Sequence, residues 1–414
     1  MSKNFRVGII GGGIGGLALS ATLARRGIES RIFERAHELA EVGAGIQVTP
    51  NAAKALAELG LATELDRIGF LPNCIVGRNY KTGREAFRTP LKGACLDLYG
   101  ANFFHVHRAD LHRMLLSQVP QNAISLNAQV TSVRNESDKA VATLASGEEF
   151  EADLIVGADG IRSVVRDCLF GETPAKYTGH MCWRAVVPVA HFPMPGVTPD
   201  SSMWLGPHGH IVTYYVKGGA AVNIVAVVES PNWVEESWTA ESSPAELAEA
   251  FKGWHPNVVE LLGKTDRVFK WGLFDRDPMQ TWSKGRVTLL GDAAHPMLPF
   301  LSQGAAMSIE DGYVLGTAID HHRNDLDAAL YAYEAERRPR TARVQLESRE
   351  RGRTYHLPTR WSQMQRDLRY FWKNMFDPQS SGMQANWVYE YSAADFERKI
   401  AGAPHLSSLS PENV

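Results

Sequence analysis

The chain has 414 residues, of which 44% are hydrophobic, and a formal net charge of −3. This length and apolar content support a large buried core and exclude a chain that is disordered throughout. The slightly acidic balance provides no basic surface for nucleic acid or for an anionic membrane, so we expect neither as a partner.

The cysteines and the apolar runs indicate the compartment. The cysteines form no C-x-x-C pair and match no zinc signature; they are Cys74, Cys95, Cys168 and Cys182. Unpaired thiols are typical of a reducing environment. No apolar run approaches the roughly 18 residues of a membrane span, and the first residues lead into a glycine motif instead of a signal peptide. We therefore expect a cytoplasmic protein.

The first predicted elements surround a glycine-rich turn. A strand over residues 5–10 precedes a G-x-G-x-x-G motif formed by Gly11, Gly13 and Gly16, and a helix follows. The next strand ends in Glu34, eighteen residues after Gly16. In this context the glycines admit a pyrophosphate at the helix N-terminus, and the acid accepts ribose hydroxyls. The motif predicts a dinucleotide site without distinguishing NAD from FAD, and a turn without a ligand is the alternative.

Two later strands end in acidic residues. The stretch "EADLIVGADG" is a strand that leads into Asp159-Gly160, and "GRVTLLGD" is a strand that ends in Asp292. A helix is predicted from about Gly304. Open α/β sheets bind ligands beyond the carboxyl ends of their strands, and a helix N-terminus stabilises negative charge. These side chains are therefore expected at one ligand-binding edge.

With "HRADLH" at residues 107–112, these three motifs resemble those of the single-component (class A) FAD-dependent aromatic hydroxylases, over residues 5–343. The resemblance implies an α/β fold like that of p-hydroxybenzoate hydroxylase: a Rossmann-like FAD-binding domain, an inserted β-sheet substrate domain and a C-terminal helical segment. It also implies non-covalent FAD, with NADH or NADPH as co-substrate. The implied cofactor-binding residues are Gly11, Gly13, Gly16, Glu34, Arg35, Gly45, Gln47, Arg108, Asp159, Asp292, Gly304 and Ala305.

The resemblance assigns roles to some of these residues. Arg108 would contact the ribityl–phosphate region, and Asp159 belongs to a second fingerprint shared by FAD and the nicotinamide donor. Asp292 would bind the ribityl chain, and residues 43–52 would pass beside the flavin ring.

The strand pattern divides the chain into a discontinuous FAD-binding part and an insertion. The FAD-binding domain is predicted over residues 1–71, 103–177 and 268–350, and the substrate-binding domain over 72–102 and 178–267. Residues 351–414 form a helical segment rich in aromatic side chains. So much aromatic surface must be covered by the core or by another subunit, and we expect a monomer or a homodimer.

The stretch "HIVTYYVKGGAAVNIVAVVE" is a predicted hairpin that places His210 and Tyr214 on the same face of a strand. Because a phenol reacts with an electrophilic oxygen best when it is deprotonated, His210 is the candidate base and Tyr214 the candidate hydrogen-bonding or relay group. The four-residue spacing between this histidine and this tyrosine is similar to that in hydroxybenzoate and hydroxynicotinate hydroxylases of the family. The alternative is a histidine satisfied by the hairpin backbone.

The predicted substrate pocket extends this pair. Its residues are Gln47, Trp204, His210, Tyr214, Pro299 and Phe300. No metal site is predicted, because His208 and His210 have no carboxylate or thiol near them in the sequence.

The resemblance implies a monooxygenase that uses NAD(P)H and O2 to hydroxylate a phenolic aromatic or N-heteroaromatic compound through a flavin C4a-hydroperoxide. Within the family, a salicylate-type decarboxylating hydroxylase or a nitrophenol-type hydroxylase is the alternative. An NAD-dependent dehydrogenase would explain the first motif alone, and a non-catalytic flavin-binding protein would leave the His–Tyr pair unexplained.

Overall fold

The structure is a computed structural model that describes residues 5–39, 44–191, 197–231, 240–376 and 386–402. Its elements mix α-helices and β-strands up to residue 289 and are helical beyond it, an α/β fold as predicted. Within those ranges, no helix is both long enough and apolar enough to cross a bilayer.

The strands fall into four sheets. In chain order, β1 to β18 are Arg6–Ile10, Glu29–Phe33, Gly45–Val48, Cys74–Asn79, Glu85–Pro90, Phe104–His107, Ile124–Ser125, Val130–Asn135, Ala140–Leu144, Glu149–Ala152, Leu154–Gly157, Lys176–Pro188, Ser201–Gly206, Gly209–Val216, Ala221–Glu229, Ala240–Ser242, Val268–Asp275 and Val287–Leu289.

The helices cover the sheets and form the C-terminal part of the described chain. In chain order, α1 to α13 are Ile14–Arg25, Pro50–Glu58, Ala62–Ile68, Ala94–Tyr99, Arg108–Leu116, Val164–Phe170, Pro244–Ala250, Pro256–Leu262, Gly304–His321, Leu326–Tyr355, Arg360–Phe376, Asn386–Glu390 and Ala393–Ile400.

The first sheet is parallel, with the order β18-β11-β1-β2-β7. Its central strand β1 is buried, and α1 leads from β1 to β2. Helix α9 packs closely on α1 because Gly312 and Gly316 have no side chains: a Cβ on Gly312 would lie 2.6 Å from the Leu19 nitrogen, and one on Gly316 2.5 Å from Thr22 Cγ2. The sheet therefore brings the carboxyl ends of β1, β11 and β18 to one edge.

The largest sheet has the order β16-β17-β12-β15-β14-β13-β4-β5. The predicted hairpin is present as β14 and β15, with its turn over Lys217–Gly219. One face of the sheet packs on α7 and α8 through a core that includes Leu247 and Val258. The other face turns toward the main core that surrounds the parallel sheet.

One predicted domain boundary lies at the start of strand β17, and another lies inside helix α10. Strand β17, assigned from the sequence to the FAD-binding part, hydrogen-bonds to β12 and β16 in the large sheet. Helix α10 continues through position 351, where the C-terminal segment was predicted to begin. A division that follows the hydrogen bonds would move the first boundary past Asp275.

Candidate active site

The glycine loop after β1 is shaped by the protein at two positions and is open at a third. Gly11 has a φ of +108°, and a Cβ on Gly16 would lie 2.1 Å from the Gly11 carbonyl oxygen. A Cβ on Gly13 would meet no atom within 4 Å, and Gly13 begins α1 without a side-chain cap. The first two glycines therefore serve the fold, whereas the space at Gly13 is available to a ligand.

Glu34 lies beside this loop. Its Oε2 accepts a hydrogen bond from the Gly12 N–H at 2.8 Å, and its Oε1 accepts one from the Ala36 N–H at 2.9 Å. The neighbouring Arg35 is exposed. In addition, His112 Nε2 is 2.8 Å from the Gly12 carbonyl oxygen, a contact that the sequence motif did not indicate.

The second acidic residue, Asp159, caps a helix. Its Oδ1 accepts from Ser163 Oγ at 2.5 Å, and its Oδ2 accepts from the Val165 N–H at 3.2 Å. Burial raises the pKa of this carboxyl, and these hydrogen bonds oppose the rise. The adjacent Gly160 has a φ of +80° and open space where a side chain would be. Asp159 thus shapes the turn while Gly160 leaves room beside it.

A buried network of Asp311, His295 and Arg337 supports the loop that contains Asp292. Asp311 Oδ2 accepts from the Gly291 N–H at 3.1 Å and lies 2.5 Å from His295 Nε2. Arg337 Nε donates to Asp311 Oδ1 at 2.8 Å. These contacts fix the backbone beside Asp292, whose pKa is raised because burial outweighs the opposing positive charges of His295 and Arg108. Arg108 is therefore close enough to Asp292 for its charge to favour the ionised carboxylate.

Strand β3 connects the two parts of the molecule. The Gly45 N–H donates to Asn223 Oδ1 at 2.6 Å, and a Cβ on Gly45 would lie 2.7 Å from Tyr214 Cε2. Gln47 Nε2 donates to Ser201 Oγ at 3.4 Å. Of the segment predicted to pass beside the flavin, residue 43 lies outside the described residues. Gly45 and Gln47 of that segment contact the hairpin sheet, whereas its Asn51 donates to Gln303 and Glu310.

The N-terminus of α9 faces the same region. Gly304 and Ala305 begin the helix and are half-buried, and a Cβ on Gly304 would meet nothing within 4 Å. Open space thus occurs at Gly13, Gly160 and Gly304, where loops leave β1 and β11 and where α9 begins. A bound dinucleotide must come close to the protein backbone, and the empty space beside these glycines allows this approach. These residues therefore fit FAD.

His210 is buried at the centre of an aromatic group. Its Nδ1 is 2.7 Å from His356 Nε2, and its ring centroid lies 5.5 Å from that of Phe300 and 5.3 Å from that of Tyr355. Burial, together with the positive charge that His180 can carry, lowers the pKa of His210 to about 3. The imidazole is therefore neutral at pH 7.

Phe300 and Pro299 form a short 3₁₀ turn before α9. Phe300 is buried, and Gly352 of α10 makes room for its ring, since a Cβ there would lie 2.6 Å from Phe300 Cε2. The structure thus brings Phe300 and His210 together.

Tyr214 has different neighbours from His210. Its ring centroid is 4.3 Å from that of His105, and burial raises its pKa. Four strand residues span about 13 Å, and Val212 lies between the two residues on the same face. The two side chains therefore mark two separate points of one surface and do not form a compact pair.

Trp204 requires a correction. In the register of β13 and β14, Trp204 faces Ile211, whereas His210 faces Leu205. Directly paired residues share a face and successive residues alternate, so Trp204 lies on the opposite face of the sheet from His210. It packs there against His255, with ring centroids 5.1 Å apart. Trp204 is not grouped with the other predicted pocket residues.

Sequence reasoning missed the side chains between His210 and the surface. His356 ends α10, and one polar atom from each of His356, His180 and Glu229 lies within 4.8 Å of the others. The exposed Glu229 is also 2.6 Å from His208 Nδ1. A carboxylate is therefore close to His208, so the reason given above for expecting no metal does not hold. His356 therefore contacts the buried imidazole of His210 and lies close to the exposed Glu229.

The parallel sheet has an open glycine loop at its edge and is joined to a large second sheet that carries a buried histidine. This arrangement is the fold class of the FAD-dependent hydroxylases. The sequence profile described as "FAD binding domain" matches residues 4–348. The chain belongs to this family.

Relatives and solved structures agree with this assignment. The chain is 41% identical to the 3-amino-4-hydroxybenzoate 2-monooxygenase PtmB3 of Streptomyces platensis over 389 residues, 94% of this chain and 96% of the relative. It is 37% identical to the 6-hydroxynicotinate 3-monooxygenase of Pseudomonas fluorescens over 351 residues, 83% and 90% of the two chains. A salicylate hydroxylase substrate complex matches with a TM-score of 0.79 and 27% identity, covering 98% of this chain and all of that chain.

The protein is thus an enzyme, an FAD-dependent monooxygenase. These relatives are named monooxygenases or hydroxylases, which favours this reading over a dehydrogenase or a non-catalytic flavin binder.

Proposed function

We propose that the enzyme hydroxylates a phenolic aromatic or N-heteroaromatic acid, of the aminohydroxybenzoate, hydroxybenzoate or hydroxynicotinate type named for its relatives. The observation that carries the proposal is the buried His210 imidazole, oriented by His356 and enclosed by the Phe300 and Tyr355 rings. Apolar rings accommodate a flat substrate, and an oriented imidazole accepts a hydroxyl proton.

The cofactor residues of this proposal are those at the open edge of the parallel sheet. Gly13, Gly160 and Gly304 leave room for FAD, and Asp292 and Arg108 offer opposite charges to its ribityl and phosphate parts. When bound there, FAD supplies the electrophilic oxygen at the expense of NADH or NADPH and O2. The remaining chemistry falls to the side chains of the pocket.

We assign His210 Nε2 as the atom that accepts the proton of the substrate hydroxyl. In the tautomer that suits this role, the Nδ1–H donates to His356 Nε2, and Nε2 keeps its lone pair. Burial keeps the imidazole neutral, so its lone pair is free, and a negative charge that develops on the substrate would offset the low pKa that burial gives it. The proton leaves by way of His356 toward the exposed Glu229. Tyr214, about 13 Å along the strand, contacts a different part of the substrate.

The test is product formation by the His210→Ala variant. We expect FAD binding to be unchanged and hydroxylation to fall by roughly 10²- to 10⁴-fold, as for loss of a general base. The loss should shrink as the pH rises through the phenol pKa of the substrate, because the ring is then already ionised. His321→Ala, an exposed histidine at the end of α9, is the control.

The assay is a single turnover of reduced enzyme with O2 and substrate, with the products identified and NADH and NADPH compared. Wild-type rate and yield in His210→Ala across this pH range would refute the role of His210. Release of CO2 would identify decarboxylating hydroxylation.

A cytoplasmic location is also part of the proposal and is supported by four free cysteines.

A further inference from the structure

Helix α11 exposes a continuous apolar face. Its members are between 48% and 78% exposed; they are Trp361, Met364, Leu368, Phe371, Trp372, Met375 and Phe376. At 100° per residue these positions cover an arc of about 140°, the width of a face that packs against another surface. Exposed patches of this kind mark interaction sites.

The opposite face of α11 is already packed on the molecule. Tyr370 contacts Phe87 of β5, with ring centroids 5.0 Å apart, and Gln363 Nε2 donates to the Leu357 carbonyl oxygen at 2.7 Å. Arg366 Nη1 donates to the carbonyl oxygen of Thr354 at 3.4 Å. These contacts fix the rotation of the helix about its axis, so the apolar face cannot turn inward.

We propose that this face, defined by the seven apolar residues of α11, binds the same face of a second copy of the chain. A fully exposed large side chain presents roughly 200 Å², so the seven expose about 700–800 Å². Each partner in a standard stable interface buries about 800 Å², and homodimer interfaces are the more apolar ones. One helix thus supplies almost the whole area that a two-fold dimer needs.

The charges beside the face favour a second copy over an anionic membrane. An interfacial membrane helix carries a row of exposed cations. Here Arg369 and Lys373 share a surface groove with Glu347 and Glu350 of α10. Acidic partners are therefore present next to the cations, and the chain as a whole carries a charge of −3.

The two copies of α11 pair antiparallel. The aromatic side chains are unevenly distributed, with Trp361 alone near the start and Phe371, Trp372 and Phe376 near the end. Antiparallel pairing places the crowded end of each helix against the sparse end of the other, which fills the interface evenly. The centre of the face then falls at Leu368, which meets its own copy across the two-fold axis.

This geometry gives a cross-linking test. In a background with the exposed Cys168 replaced by Ser, oxidation should join two chains of Leu368→Cys through a disulfide. Trp361→Cys should not cross-link, because seven residues from the centre separate the two copies by about 21 Å, beyond the reach of a disulfide. Cross-linking at both positions, or at neither, would overturn the antiparallel dimer.

The mass in solution is the second measurement. Sedimentation of the FAD-loaded enzyme should give twice the chain mass of 45.7 kDa, and Phe371→Glu should reduce the mass to that of one chain with the FAD spectrum kept. The control is Tyr331→Glu, which alters an exposed aromatic side chain of α10 and should leave the dimer intact. A monomeric wild-type enzyme would refute the proposal, whether or not it floats with anionic phospholipid vesicles.

Discussion

Gly13→Ala is expected to separate cofactor binding from folding. The new methyl group would have no protein atom within 4 Å, and the backbone at φ −74° and ψ −177° is one that alanine adopts readily. The stability of the apoprotein should therefore change by no more than about 0.5 kcal/mol.

FAD affinity should fall because the methyl group occupies the space in which a pyrophosphate approaches the N-terminus of α1. Losing one hydrogen bond between an N–H and a charged phosphate costs about 1.5–3 kcal/mol, a factor of roughly 10 to 150 in Kd. Gly16→Ala should behave in the opposite way, because its Cβ would lie 2.1 Å from the Gly11 carbonyl oxygen and would disrupt the loop itself.

The assay combines thermal unfolding of the apoprotein with a titration of FAD followed by flavin fluorescence. The control is Gly263→Ala at the end of α8, where a Cβ would make only ordinary contacts. If Gly13→Ala bound FAD as tightly as the wild type, the open space at Gly13 would not be a pyrophosphate site. If its apoprotein unfolded like that of Gly16→Ala, the distinction between the two glycines would be wrong.

Four further outcomes can be measured. Acid precipitation should leave a colourless pellet, because FAD is expected to be non-covalent. Asp292→Ala should raise the Kd for FAD by one to two decades, through loss of a hydrogen bond worth about 1.5–3 kcal/mol, with unchanged circular dichroism. Tyr214→Phe should raise KM with a smaller loss of rate than His210→Ala, whereas Tyr215→Phe, whose hydroxyl donates to the Val197 carbonyl oxygen at 2.9 Å, should leave KM unchanged. Burial lowers the pKa of His105 to about 3, so the unfolded chain binds its proton first as the pH falls below about 6.5. Through this residue the free energy of unfolding should fall by about 1.4 kcal/mol for each pH unit. Denaturant titrations between pH 6 and pH 4 should therefore show a pH dependence of the free energy of unfolding that is smaller by that amount in His105→Phe than in the wild type.

The predicted features that the structure contains as local structure depend on short stretches of chain. The glycine loop, Glu34 and the hairpin each fall within one or two consecutive elements, where periodicity and turn residues decide the structure. The face on which Trp204 lies depends instead on its pairing with Ile211, and one residue of register reverses it. The alternation of side chains within one strand does not determine how that strand is paired with its neighbour.

The partner of His210 was beyond sequence reasoning for another reason. His356 is 146 positions away, at the end of a helix whose length the sequence did not predict. The prediction divided the chain near residue 351, inside α10, and assigned the following residues to a separate segment. In the structure α10 continues to Tyr355 and delivers His356 to the pocket. Contacts set by the length of a helix and its packing become visible only when the whole chain is folded.

The pairing of His210 with His356 gives the pocket a property that a lone histidine would lack. Burial and the neighbouring imidazoles lower the pKa of His210 to about 3 and that of His356 to about 2, so the pair is neutral when no substrate is present. An anionic ring placed against His210 would favour its protonated form, because an opposite charge offsets the cost of burial. If His210 is the base proposed above, the phenolate that it creates would strengthen it, and departure of the product would weaken it again. In the proposed mechanism this reversal, together with the short distance between His356 and the exposed Glu229, would let a buried imidazole accept a proton and return it to solvent in every turnover.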